Sequence, residues 1–510
     1  MKQPQFRGKA PDSAIADSQA EYRQHQEDAD LLEEIQAERL REQADDLCMK
    51  AKPLPSPQQQ AQELQESLIP TDQQQQAIDG IVAWCRAHST GIFGSFVGPA
   101  GCGKTTVARW IYDALTAAGF DVGSGAPTHK ACAVLARNIA INRDDVSTVA
   151  SILALKEKKV GAKRTFVPDY RKKPRVSDHQ IWLIDESSML SADLLAIFED
   201  YADFDTRILC IGDPAQLSPV EGKGLSPALK FDPTWKVDQV LRHGGAILDS
   251  ATAIRQTTGK QWRPQFPQTV ITDDSSVFTY KNHRELQHAF VEKAIAHHEG
   301  NPDQVRWLVF MNRSKDRMNT VTRRAVHQHF NLPNDPFVVG ERLITGDSIK
   351  NPDDPQGLPL YGSSRELIVL QAEKQEFLLP ACAEGKSFVG WQLVVKATDA
   401  GPDAKAKIIN ALDPSDQSYL DNRLQLLARE AKTPRGSWDE FWELKEFWAE
   451  LQPHWAMTTH KAQGSQFAEV FLDPDLDKVR AIDERRRIWY TAFTRAQQAI
   501  HLVADQEVGC

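Results

Sequence analysis

At 510 residues and 41% hydrophobic content, the chain is long enough for roughly three or four domains and rich enough for real cores. Its net charge of −10 excludes a broadly basic nucleic-acid binder. Residues 1–66 alone hold eight Lys/Arg against fourteen Asp/Glu, so the rest carries only −4 and can hold a local basic channel. Seven scattered cysteines without a C-x-x-C pair exclude a disulfide framework and a zinc site, and no apolar run reaches transmembrane or signal-peptide form; a soluble protein of a reducing cytosol, with no membrane partner, is expected.

Residues 1–66 are rich in Gln, Glu and Ala and poor in aromatics, and Lys52-Pro53-Leu54-Pro55-Ser56-Pro57 interrupts any helix there. Such a composition cannot bury enough apolar surface to fold alone, so a largely disordered or loosely helical tail is expected. A docking arm for a partner is the alternative. The folded body begins near Leu68. Pro70-Thr71 opens an amphipathic helix running through Trp84, with Thr71 as N-cap.

The next stretch organises the chain. Gly98-Pro99-Ala100-Gly101-Cys102-Gly103-Lys104-Thr105-Thr106 fits G-x-x-x-x-G-K-[ST], between an apolar strand (92–97) and a helix with apolar residues at helical spacing (107–115). Glycines let backbone N–H groups curl around a polyphosphate, and the helix N-terminus adds partial positive charge. Lys104 then reaches the β- and γ-phosphates, and the Thr105 hydroxyl ligates Mg²⁺. ATP and Mg²⁺ are the expected cofactors.

A second β-α unit follows at Val122–Ala126 and Ala131–Asn138, which makes the sheet α/β. Between Lys156 and Arg175 stand nine Lys/Arg against two Asp/Glu, interleaved with Phe166 and Tyr170, and Gly161 marks a turn. A basic hairpin facing nucleic acid is the expectation, a solvated basic loop the alternative. Ile181–Ile184 reads as a buried strand ending in Asp185-Glu186, where a carboxylate for Mg²⁺ and a neighbour for orienting water belong. Arg207–Ile211 is another strand, ending in Gly212-Asp213 with Gln216 on the following loop. The order of elements gives one doubly wound domain over 67–245.

A second α/β unit is expected over 246–335 and 453–510, from strands at Val305–Phe310, Val470–Leu472 and Ala499–Val503 and a helix from Lys315 to Phe330. Between them, 336–452 shows β-type runs at Glu366–Leu370, Phe377–Leu379 and Trp391–Lys396, suggesting a small inserted barrel. Trp438, Phe441, Trp442, Phe447 and Trp448 follow at helical spacing; core packing is expected of them, a base-stacking platform being the alternative.

The order of these blocks resembles superfamily 1 helicases, in particular the RecD/Dda-like branch of superfamily 1B, over roughly Thr71 to Val503. TDQQQQA resembles the Q motif, whose glutamine, Gln74 by spacing, reads adenine. APTHKACAVL resembles motif Ia and VSTVASIL motif Ib, which implies DNA contacts by Thr128, His129, Ser147 and Thr148. LIDESSML and GDPAQLSPV resemble motifs II and III, with Gln216 as γ-phosphate sensor. VLRHGG resembles motif IV and YTAFTRA motif VI, making Arg242 and Arg495 arginine-finger candidates. MTTHKAQGSQF resembles motif V; Thr458, His460, Lys461 and Gln463, together with Asn312, are the implied DNA contacts of the second unit. Gln466 departs from the residue usual in motif V and leaves that local contact open.

The resemblance implies two RecA-like P-loop domains with a small β-hairpin insert and an SH3-like β insert. It implies an ATP-dependent 5′→3′ motor on single-stranded DNA and at single-strand/duplex junctions, in a bacterial or phage-infected cytoplasm. Replication, repair and recombination are the settings it allows, with the tail as a dock for proteins of those processes. The hairpin insert, at about 154–178, is then the duplex-splitting pin, with Phe166 its favoured wedge over Tyr170. An RNA-directed or non-unwinding translocase, and a non-enzymatic nucleotide-gated DNA-binding protein, are the alternatives.

Overall fold

The computed structural model describes residues 69–87, 91–161, 163–169, 171–219, 225–238, 245–257, 265–298, 304–351, 359–379, 387–398, 404–433 and 436–505. The expectations for the tail, Tyr170 and Arg242 lie outside these residues. No helix among them is long and apolar enough to cross a membrane.

The body is two RecA-like α/β lobes with a β insert. In lobe 1 six parallel strands stand in the order Val146–Thr148, Val122–Ala126, Ile181–Ile184, Arg207–Gly212, Phe93–Val97, Thr234–Lys236. The central strands are buried along their whole length, as expected when helices cover both faces of a parallel sheet. The helices Asp72–Arg86, Lys104–Ala117 and His129–Ile139 form one core with them through Ile81, Ile111, Leu135 and Phe96. Thr71 caps the first helix in a full capping box: its hydroxyl accepts from the Gln74 N–H, and the Gln74 side chain accepts from the Thr71 N–H.

Lobe 2 repeats the plan with the strand order Ala456–Thr458, Val305–Val309, Phe467–Leu472, Ala496–Val503, Ser276–Tyr280, Val270–Ile271. All its pairings are parallel except the last, an antiparallel edge. Glu469 ties this sheet to its covering helix. It accepts from Lys293 Nζ at 2.7 Å and meets His501 Nε2 at 2.8 Å. Burial alone would raise its carboxyl, but the His501 and Lys293 contacts outweigh this and hold it down at about 2. A depressed carboxyl stabilises the fold above the ordinary glutamate range, and that contribution is lost as pH falls towards the depressed value. Glu469→Gln is therefore expected to cost about 1.5–3 kcal/mol at neutral pH, the scale of a hydrogen bond to a charged group. In chemical denaturation series the gap to wild type closes as pH drops through the acid range. A gap that is constant with pH would show that the charge is not responsible.

The insert is a five-stranded antiparallel sheet in the order Lys407–Leu412, Phe388–Ala397, Glu366–Phe377, Arg342–Thr345, Leu451–Pro453. Two runs read separately in the sequence, at Glu366 and Phe377, belong to one 12-residue strand. A register shift between Val369 and Gln371 breaks its alternation, which is why the sequence reads as two pieces. The aromatics after residue 437 pack as core: Phe441, Trp442 and Trp448 are buried with Phe388, Leu420 and Leu427.

The basic segment is the antiparallel hairpin Leu155–Val160 and Lys163–Pro168, with Glu157 opposite Phe166. It leans on the insert. Trp442 Nε1 donates to Gly161 O at 3.0 Å, Lys159 Nζ lies 2.6 Å from Glu446 Oε1, and Ser348 Oγ donates to Glu157 at 3.0 Å. Lys156 and Arg171 share Asp169, and Arg175 pairs with Asp178, so part of the segment's positive charge is compensated. Phe166 remains 59% exposed.

Candidate active site and nucleic-acid interface

The phosphate loop joins a buried strand to the Lys104–Ala117 helix. Gly101 and Gly103 take φ of +80° and +79°, a backbone region that side chains rarely adopt. This turns the loop back over the helix N-terminus, where Thr105 and Thr106 occupy the first turn. Lys104 Nζ donates to the carbonyls of Gly98 and Pro99, each at 2.8 Å, and lies 4.0 Å from Asp213 Oδ2. Gln74, fully buried, supports the loop from behind: its Oε1 takes the Thr71 N–H at 3.0 Å and its Nε2 donates to Cys102 O at 3.2 Å. Its amide oxygen is thus committed to the capping box, a use that the sequence reading, which gave it to adenine, does not contain.

Asp185 and Glu186 follow the next-but-one strand of the sheet. Burial, then the Glu186 charge, push the Asp185 carboxyl up, and the Glu186 N–H at 2.8 Å on Oδ1 partly offsets them. Glu186 itself sits at φ +51°, ψ +35°, a strained position for a residue with a side chain. Arg495 comes from lobe 2 and is 4% exposed. Its guanidinium donates to Thr491 O and Ser465 O, each at 3.2 Å, and to Thr494 Oγ1 at 3.0 Å, and its Nη1 reaches Glu186 Oε1 at 4.0 Å. Glu186 and Arg495, 309 positions apart by their numbers, thus face each other across the lobes.

The residues suit a nucleotide with a divalent cation. The glycine turns curl the loop over the helix N-terminus, and Thr105 with Asp185 offers the hard oxygen donors Mg²⁺ prefers. Gln216 is 5% exposed, and its Oε1 is buried without a hydrogen-bond partner among the described residues. An orphaned buried oxygen beside Asp213 suits a side chain that meets phosphate-bound water.

The loop Asp213–Leu217 is also held from lobe 2. Tyr490 Oη donates to Asp213 Oδ2 at 2.6 Å, Thr491 Oγ1 accepts from Leu217 N at 3.2 Å, and Arg487 Nη1 donates to Pro214 O at 2.6 Å and Gln216 O at 2.7 Å. Gln463 Nε2 donates to Leu217 O at 3.3 Å. Gln463, expected to touch DNA, is 3% exposed and spans the lobes instead. Tyr490, Thr491 and Arg487 carry no role in the sequence reading, although two of them lie within YTAFTRA.

The remaining expected DNA contacts divide in two. Thr128 and Thr148 are N-caps, accepting from Ala131 N and Ser151 N, both at 3.2 Å. Ser147 accepts from Arg175 at 3.2 Å, and His129 Nδ1 lies 3.3 Å from Arg143 Nη2. In lobe 2, Asn312 is exposed at the start of the Asn312–His329 helix. Thr458 is mostly buried, and its hydroxyl accepts from Lys461 N at 3.4 Å. Lys461 Nζ donates to Gly346 O of the insert at 3.1 Å, and burial pulls the His460 imidazole below its ordinary pKa. The two sets meet at Gly464. A Cβ there would lie 3.0 Å from Ala131 Cβ and 3.5 Å from Thr128 Oγ1, and φ is +72°, so glycine favours the approach on both counts. The face is joined again at Glu366, whose carboxylate lies 3.7 Å from Lys130 Nζ of lobe 1 and 3.0 Å from Arg306 Nη2 of lobe 2.

Both lobes match known families. Residues 71–286 match a profile described as an AAA domain, and residues 453–503 match one described as a UvrD-like helicase C-terminal domain. The ATP-dependent DNA helicase dda of Enterobacteria phage T4 is 26% identical over 432 residues, covering 80% of this chain and 93% of that protein. The chain is similar to the DNA helicases of superfamily 1B. The resemblance read from the motif order therefore holds. A conjugal transfer protein TraA of Rhizobium radiobacter is 30% identical over 152 residues, 30% of this chain and 12% of its own length. Among solved structures, the Pif1 helicase from Bacteroides in complex with ADP-AlF3 and ssDNA aligns with a TM-score of 0.43 at 15% identity, over 85% of this chain and 92% of that one.

Proposed function

We propose that this protein is an ATP-driven motor that moves 5′→3′ on single-stranded DNA and unwinds the duplex ahead of it. The observation that carries this is the 4.0 Å approach of Arg495 of lobe 2 to Glu186 of lobe 1, the arrangement expected of a nucleotide site shared by both lobes. Catalysis of phosphoryl transfer is mostly positioning and charge neutralisation. Lys104 meets the β- and γ-phosphates, Glu186 orients the attacking water, and Arg495 meets the charge that develops as the γ-phosphoryl leaves. Arg242 is the second finger of this proposal. Mg²⁺, held by Thr105 and Asp185, neutralises phosphate oxygens when bound. Because the site is shared, hydrolysis alters the fit between the lobes. A strand held by Thr128, His129, Ser147 and Thr148 on one side and Asn312, Thr458, His460 and Lys461 on the other is then stepped along. DNA is the proposed track, in line with the named activity of the phage relative. Residues 1–66 are proposed to dock replication or repair proteins.

The test is ATPase activity with oligo(dT), with oligo(U) and with no polymer. Stimulation by DNA well above RNA is expected; stimulation by RNA alone would replace the track, and none by either would remove the motor.

Phe166 is proposed as the wedge. It is exposed on a hairpin braced against the insert. Opening a base-pair step costs roughly 1.4 kcal/mol, and an aromatic stack contributes about 1–3 kcal/mol, so one ring can bias each step. Phe166→Ala is expected to slow unwinding while leaving ATPase on single-stranded DNA intact. Normal unwinding by this variant and by Tyr170→Ala would move strand separation to another surface.

A further inference from the structure

The Tyr490 hydroxyl lies between the lobes and has no part in the chemistry above. It accepts from the Ala100 N–H at 2.9 Å and donates to Asp213 Oδ2 at 2.6 Å. Ala100 belongs to the phosphate loop, whose N–H groups cradle phosphates. Asp213 Oδ2 is in turn 4.0 Å from Lys104 Nζ. The ring is 2% exposed, packed in the lobe 2 core with Trp489 and Phe493. Burial, then the Asp213 charge, push the phenol well above its ordinary pKa, so the group remains a donor. Thr491, Arg487 and Gln463 also bond the Asp213–Leu217 loop from lobe 2. Of these four residues, Tyr490 alone also bonds the phosphate loop.

We propose that Tyr490 is a positioning residue whose hydroxyl fastens the phosphate loop and the Asp213 loop to lobe 2, tying nucleotide binding to lobe closure and to the grip on the strand. This rests on the helicase reading and adds a coupling residue to it. The contact requires both lobes at once: Ala100 and Asp213 are in lobe 1, and the ring is anchored in lobe 2. A hydroxyl that bridges the phosphate loop, a carboxylate near its lysine and the opposite lobe changes partners whenever the lobes part. Bonds of this kind let two ligands on different surfaces share free energy, because each favours the closed arrangement.

The test uses the full chain with Tyr490→Phe, which keeps the ring and removes the hydroxyl. Affinity for oligo(dT) is measured with and without a non-hydrolysable ATP analogue, alongside analogue affinity without DNA and the thermal midpoint. The factor by which the analogue changes oligo(dT) affinity is expected to shrink to within about twofold of unity. Analogue affinity should stay within about threefold of wild type, and the midpoint within about 4 °C. Wild-type coupling in the variant would overturn the proposal. So would a coupling loss matched by an equal loss of nucleotide affinity, which would make Tyr490 a simple support of the phosphate loop. A second arm separates this from failure of the helicase reading. Dyes at positions 204 and 271, which are 77% and 68% exposed on different lobes, report closure by energy transfer with the analogue and no DNA. Should the wild type bind no oligo(dT), the helicase reading fails; analogue-induced closure that is weaker in Tyr490→Phe still upholds the positioning role, and equal closure overturns it.

Discussion

Lys104→Ala is expected to abolish ATP hydrolysis, and Glu186→Gln to abolish turnover while nucleotide still binds. The two losses have different physical origins. Lys104 is the cation of the phosphate loop, held by the Gly98 and Pro99 carbonyls at 2.8 Å on the rim of the cradle. Alanine removes the charge that meets the β- and γ-phosphates in both ground and transition states, so binding and turnover fall together. Glu186 follows the strand Ile181–Ile184, and its Oε1 lies 4.0 Å from Arg495 Nη1 of the opposite lobe. Glutamine keeps its shape and removes its charge, so the water loses the carboxylate that orients it while the cradle is untouched. Fluorescent-nucleotide binding and phosphate release, measured on the same preparations, separate the cases. Wild-type turnover in Glu186→Gln would take that residue out of the mechanism.

Arg495→Ala is expected to cost roughly 10³-fold or more in turnover, the effect of removing an arginine finger. The side chain is already fixed by three hydrogen bonds to Thr491, Ser465 and Thr494, so little reorganisation is needed when charge develops beside it. Arg495→Lys should fail almost as badly, since an ammonium cannot reproduce the planar fork that holds this position. A thermal midpoint near wild type distinguishes a catalytic loss from damage to a buried site. A deficit confined to nucleotide affinity would assign Arg495 to ground-state binding.

The parts of the site legible in the sequence are those whose chemistry is local. The phosphate loop needs its glycines, lysine and threonine within nine residues of one turn, and Asp185-Glu186 needs only a buried strand before it. Arg495 could be named from its motif, but its approach to Glu186 depends on two lobes closing and no spacing encodes that. Gln74 shows the opposite limit: four consecutive glutamines hide that this one both closes a capping box and braces Cys102 O. Tyr490 reads as an ordinary aromatic on a helix, because its partners Ala100 and Asp213 are hundreds of residues away. In the insert, a bulge split one strand into two in the sequence reading, and the short strands Arg342–Thr345 and Leu451–Pro453 carry too few residues to show a period. The aromatics of the insert were legible as core because helical spacing and size together required burial.

Unwinding of one duplex bearing either a 5′ or a 3′ single-stranded tail, with ATP and Mg²⁺, separates a 5′→3′ helicase from a motor of the opposite direction and from a translocase that leaves duplex intact. The likeness to superfamily 1B helicases predicts ATP-dependent unwinding of the 5′-tailed duplex and little of the 3′-tailed one, and the proposed role of Lys104 predicts that Lys104→Ala is inactive on both. Unwinding confined to the 3′-tailed duplex would reverse the assigned direction of travel. Unwinding of neither, by protein whose ATPase responds to single-stranded DNA, would contradict its assignment as a helicase.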